Sequence, residues 1–79
     1  GYQYVLVVHY NGDTAGDNVE RALGKVKYTI RSKIMRGENT ELTIQVRCKN
    51  DNQSFVEHIR DIEGVSDAAL IEFNGEYHG

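Results

Sequence analysis

The chain opens on a run of β-branched and aromatic positions from Tyr2 to Tyr10, with Leu6, Val7 and Val8 consecutive. An apolar run of this length, closed by the turn residues Asn11-Gly12-Asp13, predicts a strand buried on both faces. The period then changes. Val19, Ala22, Leu23 and Val26 recur at i, i+3, i+4 and i+7, which is one apolar stripe on a helix of about ten residues. Asp17 or Asn18 is the expected N-cap, because a short side-chain oxygen accepts from an otherwise unpaired early N–H. Gly24 weakens a helix interior by ~1 kcal/mol relative to alanine, so it is placed near the end.

From Lys27 the period is two. Tyr28, Ile30 and Ile34 alternate with Lys27, Thr29, Arg31 and Lys33, leaving Ser32 as a lone polar position on the apolar side. Arg36-Gly37-Glu38-Asn39 reads as a turn, and Leu42, Ile44, Val46 and Cys48 then alternate with Thr43, Gln45 and Arg47. Two such runs around a short polar turn predict a hairpin. Lys49-Asn50-Asp51-Asn52 ends the second strand. A second helix begins at Asn52 or Ser54, with Phe55, Val56, Ile59 and Ile62 on one side and Glu57, Arg60, Asp61 and Glu63 on the other. Gly64 ends it, Val65 to Phe73 is the last strand, and Asn74-Gly75 turns the chain before Glu76-Tyr77-His78.

The order strand–helix–strand–strand–helix–strand predicts an α+β, ferredoxin-like βαββαβ fold. The right-handed crossover rule puts both helices on one face of a four-stranded antiparallel sheet and leaves the other face open. A chain of 79 residues is one domain. At this size about 60–65% of the unfolded surface is buried, enough for one core but not for a deep substrate cavity as well. No run approaches the ~20 apolar residues of a membrane-spanning helix. The start without Met, directly in strand-type sequence, is expected of a piece of a longer protein.

Charge and chemistry narrow the function more by exclusion than by motif. Net charge is −3, which argues against nucleic acid as a partner, and the strand Leu42 to Cys48 has no aromatic on which a base could stack. The single cysteine, Cys48, fits a reducing compartment and falls in the core alternation, where a buried thiol is inert. His9, His58, His78 and Cys48 stand at no recognised metal-ligand spacing, and there is no Cys-x-x-Cys of the copper-chaperone type. Acylphosphatases share this topology but place an Arg in the loop after the first strand. Here that loop, Asn11 to Asp17, is acidic and Arg-free. No enzyme activity, metal or cofactor is expected.

Two surface features remain. Of nine Lys and Arg, eight lie between Arg21 and Lys49. If Ile30 and Ile44 both point at the helices, Lys27, Arg31, Lys33 and Arg47 share the open face. Such a stripe is either a solvated edge whose charge discourages aggregation, or a surface for an anion or an acidic partner such as the acidic half of a second copy. The other feature is Asp13-Thr14-Ala15-Gly16, which resembles the Asp-x-x-Gly turn with which ligand-sensing ACT domains present backbone N–H groups. That resemblance makes Asp13, Gly16 and Asp17 candidate ligand-binding residues, although Asp17 stands where those domains carry an apolar residue.

A wider resemblance spans most of the chain and is densest from Lys25 onward. Glu41-Leu42-Thr43, Ser54-Phe55-Val56, Ile62-Glu63-Gly64-Val65, Ala68 with Leu70, and Asn74-Gly75-Glu76-Tyr77 resemble the tail of an uncharacterised bacterial family of multi-pass membrane proteins. Its members carry a cytoplasmic ACT-like tail after N-terminal transmembrane helices. Some resemble magnesium-transport-associated membrane proteins, and many are encoded near polyphosphate-polymerase-like proteins. The resemblance implies a cytoplasmic, non-enzymatic regulatory or oligomerisation domain of an inner-membrane protein, with the membrane reached only through an N-terminal region absent here. A second copy is the expected partner, met through the open sheet face or an edge strand. The alternative is an ACT-type sensor of an amino acid or small anion at the loop from Asn11 to Asp17.

Overall fold

Strand β1 (Tyr2–Asn11) sets the frame, because it pairs with a neighbour on each side. Its residues Tyr4, Leu6, Val8 and Tyr10 are buried, while Gln3, Val5, Val7 and His9 on the other face are half-buried. The computed structural model describes residues 2–24, 26–48 and 54–72, and of Tyr2 and Cys48 the backbone only. The other elements are α1 (Asp13–Leu23), β2 (Lys27–Arg36), β3 (Asn39–Cys48), α2 (Ser54–Arg60) and β4 (Val65–Glu72). The sheet order is β2-β3-β1-β4 and every neighbouring pair is antiparallel. The expected βαββαβ fold is thus the one observed.

The core forms where periodicity placed it. Leu6, Val8, Leu42, Ile44 and Val46 of the sheet pack with Val19 and Leu23 of α1 and with Val56 and Ile59 of α2. α1 packs on β1, α2 on β4, and the helices touch each other over the same sheet face. Ala68 completes the cluster from β4.

α1 begins earlier than the stripe predicts. Gly12, at φ 90, turns the chain out of β1, and the helix runs from Asp13 with no side-chain cap. The Gly16 N–H donates to the Gly12 carbonyl at 3.3 Å, and Ala15 is buried in the first turn. A Cβ at Gly16 would stand 3.0 Å from the Tyr10 ring, so the ring of β1 lies against the helix backbone there. Tertiary packing of Tyr10 and Ala15 thus overrides the preference for a polar cap at Asp17 or Asn18. Val26, expected in the stripe, lies beyond the helix end and packs on the core from the following turn.

The hairpin departs from simple alternation at one point. Ile30 faces Ile44 but Ser32 faces Thr43, so β2 carries one extra residue, Arg31, in a bulge. Beyond it every side chain changes face. Lys33 stands opposite Leu42 on the helix side, and Ile34 opposite Glu41 on the open side. The expected shared face of Ile30 and Ile34, and of Lys33 with Lys27, is therefore corrected. A one-residue slip exchanges the faces of a strand, because its side-chain period is two. Ser32, expected on the apolar side, faces outward with Thr43.

Candidate functional site

On the open face, neighbouring strands contribute residues in rows. Toward one end Lys27 stands beside Arg47, which is paired with Gln3; then come Thr29, Gln45, Val5 and Ile71; then Ser32, Thr43, Val7 and Ala69; then Ile34, Glu41, His9 and Asp67. The face thus has a cationic end, an apolar middle on β1 and β4, and a His–carboxylate row at the other end.

The cationic end is organised by two glutamines. The Arg31 Nε donates to Gln45 Oε1 at 3.0 Å, and Gln45 Nε2 donates to Gln3 Oε1 at 2.8 Å. Arg31 sits at the bulge, and its bond to Gln45 brings its guanidinium to the row next to Lys27 and Arg47. Among the described residues none of these three cations has a carboxylate partner. They line an open depression with Gln3, Thr29 and Gln45. Of the four basic positions expected together, Lys27, Arg31 and Arg47 meet and Lys33 does not.

The opposite row was not anticipated. His9 Nδ1 lies 2.7 Å from Asp67 Oδ1, and its Nε2 lies 3.1 Å from Glu41 Oε1. Ionised carboxylates only accept, so the ring engages both when each nitrogen carries a proton, as imidazolium. The hydrogen bond to Asp67 is the main reason that the His9 pKa is raised above 6.5, opposed by desolvation and helped by Glu41. Since His9 and Asp67 are 58 residues apart and His9 and Glu41 are 32 apart, only the strand register brings them together. Ser66, the extra residue of a bulge in β4, donates from its hydroxyl to the His9 carbonyl at 3.2 Å. Among the described residues no group of three or more His, Cys, Asp or Glu is arranged to hold a metal ion.

The candidate ligand loop is mostly helix. Asp13, Gly16 and Asp17 lie in the first turns of α1, and the Gly16 N–H is spent on Gly12. The Asn11 N–H donates to the Gly64 carbonyl and the Gly12 N–H to the Glu38 carbonyl, so both neighbouring donors are also internal. His58 is exposed on α2. Lys49, Phe73, His78, the turn at Asn74-Gly75 and the side chain of Cys48 lie outside the described residues.

The β2 edge is the least covered part of the sheet. All ten of its residues are exposed, including Tyr28, Ile30, Ile34 and Met35 at 39%, 49%, 42% and 66%. Tyr28, Ile30 and Met35 share the helix side, opposite Val46, Ile44 and Thr40, but among the described elements β2 packs closely only on β3. No helix among the described residues is long and apolar enough to cross a membrane.

No family model matches the chain, and no curated protein matches it. Solved structures do. The C-terminal domain of the MgtC protein from Mycobacterium tuberculosis superposes with a TM-score of 0.65 at 15% identity, over 95% of this chain and 94% of that one. The ACT domain of the GTP pyrophosphokinase of Chlorobium tepidum superposes with a TM-score of 0.57 at 12% identity, over 89% of this chain and 97% of that one. At these identities the likeness is one of fold: the chain has an ACT-like fold.

Proposed function

We propose that this ACT-like domain is a non-enzymatic regulatory and assembly module, the cytoplasmic tail of a bacterial inner-membrane protein, which pairs with a second copy along β2. The observation that carries the reading is the uncovered edge itself, ten exposed residues with Tyr28, Ile30 and Met35 in one row on the helix side. A strand of this length presents a row of unpaired backbone groups, and a twofold axis beside it yields an antiparallel joint and a closed dimer.

Two effects oppose each other at that joint. Full burial of an aliphatic or aromatic side chain stabilises by ~1.5–3 kcal/mol, so completing the burial of three partly exposed ones contributes about half of that for each. Against it, β2 carries Lys27, Arg31, Lys33 and Arg36 and no carboxylate, and like charges directly opposite each other cost ~0.2–1 kcal/mol per pair. Pairing requires the apolar row to outweigh this repulsion, and salt tips the balance toward it by screening the cations. A dimer so balanced suits regulation, since a ligand or an attached membrane segment that prefers one arrangement shifts the population by its differential affinity. The resemblance to the tails of multi-pass membrane proteins supports the membrane context. The small-ligand sensor reading ranks second, because the residues it needs form the first turns of α1 and their neighbouring donors are taken.

Sedimentation equilibrium over a range of protein and salt concentrations tests the proposal. A monomer–dimer equilibrium strengthened by salt is expected, with Ile30→Asp and Met35→Asp returning the protein to monomer while its unfolding midpoint stays near the parent value. A strict monomer at high concentration in both low and high salt overturns it.

A further inference from the structure

We propose that the cationic end of the open face is a binding site for a phosphoryl-bearing anion, held by Lys27, Arg31 and Arg47. Three observations converge there. First, Lys27 stands directly opposite Arg47 on the adjacent strand, an arrangement of like charges that destabilises a sheet unless something offsets it. Second, the chain is net negative at −3, yet among the described residues no carboxylate pairs with these cations, while the carboxylates of the same face, Glu41 and Asp67, are taken by His9. Third, the arrangement is built. The extra residue of the β2 bulge is Arg31 itself, and bulges re-aim side chains. Its guanidinium is held by Gln45 Oε1, whose orientation is set in turn by the bond from Gln45 Nε2 to Gln3.

The chemistry of the donors selects the ligand class. The Arg47 guanidinium fork matches the oxygen spacing of phosphate and binds it in a pair of parallel hydrogen bonds, Arg31 adds the guanidinium edge that Gln45 leaves open, and the ammonium adds a mobile point charge. Cations spread over neighbouring rows of two strands suit an anion with several oxygens, such as a diphosphate, better than chloride. The site belongs to the monomer and stands whether or not β2 pairs. Where β2 does pair, an anion here also offsets the cations at the joint, so the same ligand favours the dimer.

The test is a titration of the isotope-labelled protein with inorganic pyrophosphate, followed by amide NMR at ionic strength held constant with sodium chloride, at a protein concentration low enough to keep it monomeric. Saturable shifts are expected along residues 27–31 and 45–47. Lys27→Gln and Arg47→Gln are each expected to weaken binding roughly three- to tenfold, the effect of losing one partly exposed charged contact. Lys33→Gln removes the same charge from the same strand but on the helix side, and is expected to change affinity by less than about twofold, the size of a distant screened charge. Absence of saturation, or a loss in Lys33→Gln equal to that in Arg47→Gln, overturns the proposal, since only net charge would then be at work. Phosphatidylglycerol vesicles form a second arm. Vesicle binding displaced by pyrophosphate assigns the phosphoryl group to a lipid headgroup, and pyrophosphate binding without vesicle binding assigns it to a free phosphate. Dimerisation measured separately by sedimentation distinguishes failure of this site from failure of the pairing model.

Discussion

Strands β2 and β4 are the two edges of one sheet, and β4 is the more covered of them. β4 is eight residues long, carries a bulge at Ser66 and lies under α2. Its Ala68 is buried, and the Ala68 carbonyl accepts from Arg60 Nε at 3.1 Å. The same guanidinium donates from Nη1 to Glu57 at 2.7 Å, which holds it in place. β2 is ten residues long and exposed throughout, and besides its own bulge at Arg31 it is guarded by four cations. A shorter edge packed under a helix is protected in part by its structure. An edge protected by charge is protected conditionally, because salt or a bound anion removes the repulsion. On the proposed reading, that difference makes β2 the side on which association is regulated.

The largest test of this contrast replaces one glycine on each side. Gly64, just before β4, has φ +94, and a Cβ there would meet Asn11 O at 2.9 Å and Ala15 Cβ at 2.8 Å. Gly64→Ala is expected to cost about 2–5 kcal/mol in chemical denaturation, combining a positive-φ penalty with overpacking against backbone. Gly37, in the β2–β3 turn, has φ +61 with nothing within 4 Å of its Cβ position. Gly37→Ala is expected to cost only about 1–2 kcal/mol, the backbone penalty alone. Equal losses at the two sites would show that the β2 hairpin is as tightly held as the β4 junction.

Removing the guard of β4 should have a smaller effect on folding and a qualitative one on association. Arg60→Ala frees the Ala68 carbonyl and breaks the pair with Glu57, with an expected loss of ~1 kcal/mol. It is also expected to raise aggregation on heating, read by light scattering, in a way that Ile30→Asp does not suppress. Suppression by Ile30→Asp would place the new association at β2 and undo the comparison.

The smallest effect concerns pH. His9 ties β4 to β1 and β3 across the open face, and its folded pKa is raised, first by the hydrogen bond to Asp67. A raised folded pKa means that the contribution is complete below the unfolded value of about 6.5 and is lost as pH rises through the higher folded value. The ring is 42% exposed, so the change in global stability is small. Hydrogen exchange at the amides of β4, corrected for intrinsic rate, is expected to lose protection over that window while β2 does not. His9→Gln should abolish the pH dependence, and its persistence in that variant would remove His9 as the cause.

Much of this was readable from residue order alone. The buried row Leu42, Ile44, Val46 and the helix residues Val19, Leu23, Val56 and Ile59 follow from periods of two and 3.6, which are properties of the local backbone. Gly24 ends α1 as its identity suggests, whereas α2 stops at Arg60, short of Gly64, and Ile62 packs on the core from the turn beyond it. The early start of α1 was not readable, because it depends on the Tyr10 ring lying over Gly16 and on burial of Ala15, whereas the sequence showed a better polar cap further on. Nor was the position of Lys33, since alternating residues give no sign that the chain will insert one residue between Ile30 and Ser32.

The linear order of apolar and polar residues determined the six elements, their succession and the side each helix turns to the core, because each rests on contacts within a few residues and on one rule of handedness. Which side chains meet across strands is a matter of register, settled by competing pairings over 14, 32 and 58 residues of separation. The Arg31–Gln45 contact, the His9 row and the uncovered edge all belong to that second kind of information. A shift of one position would exchange the faces while leaving every local pattern as it was.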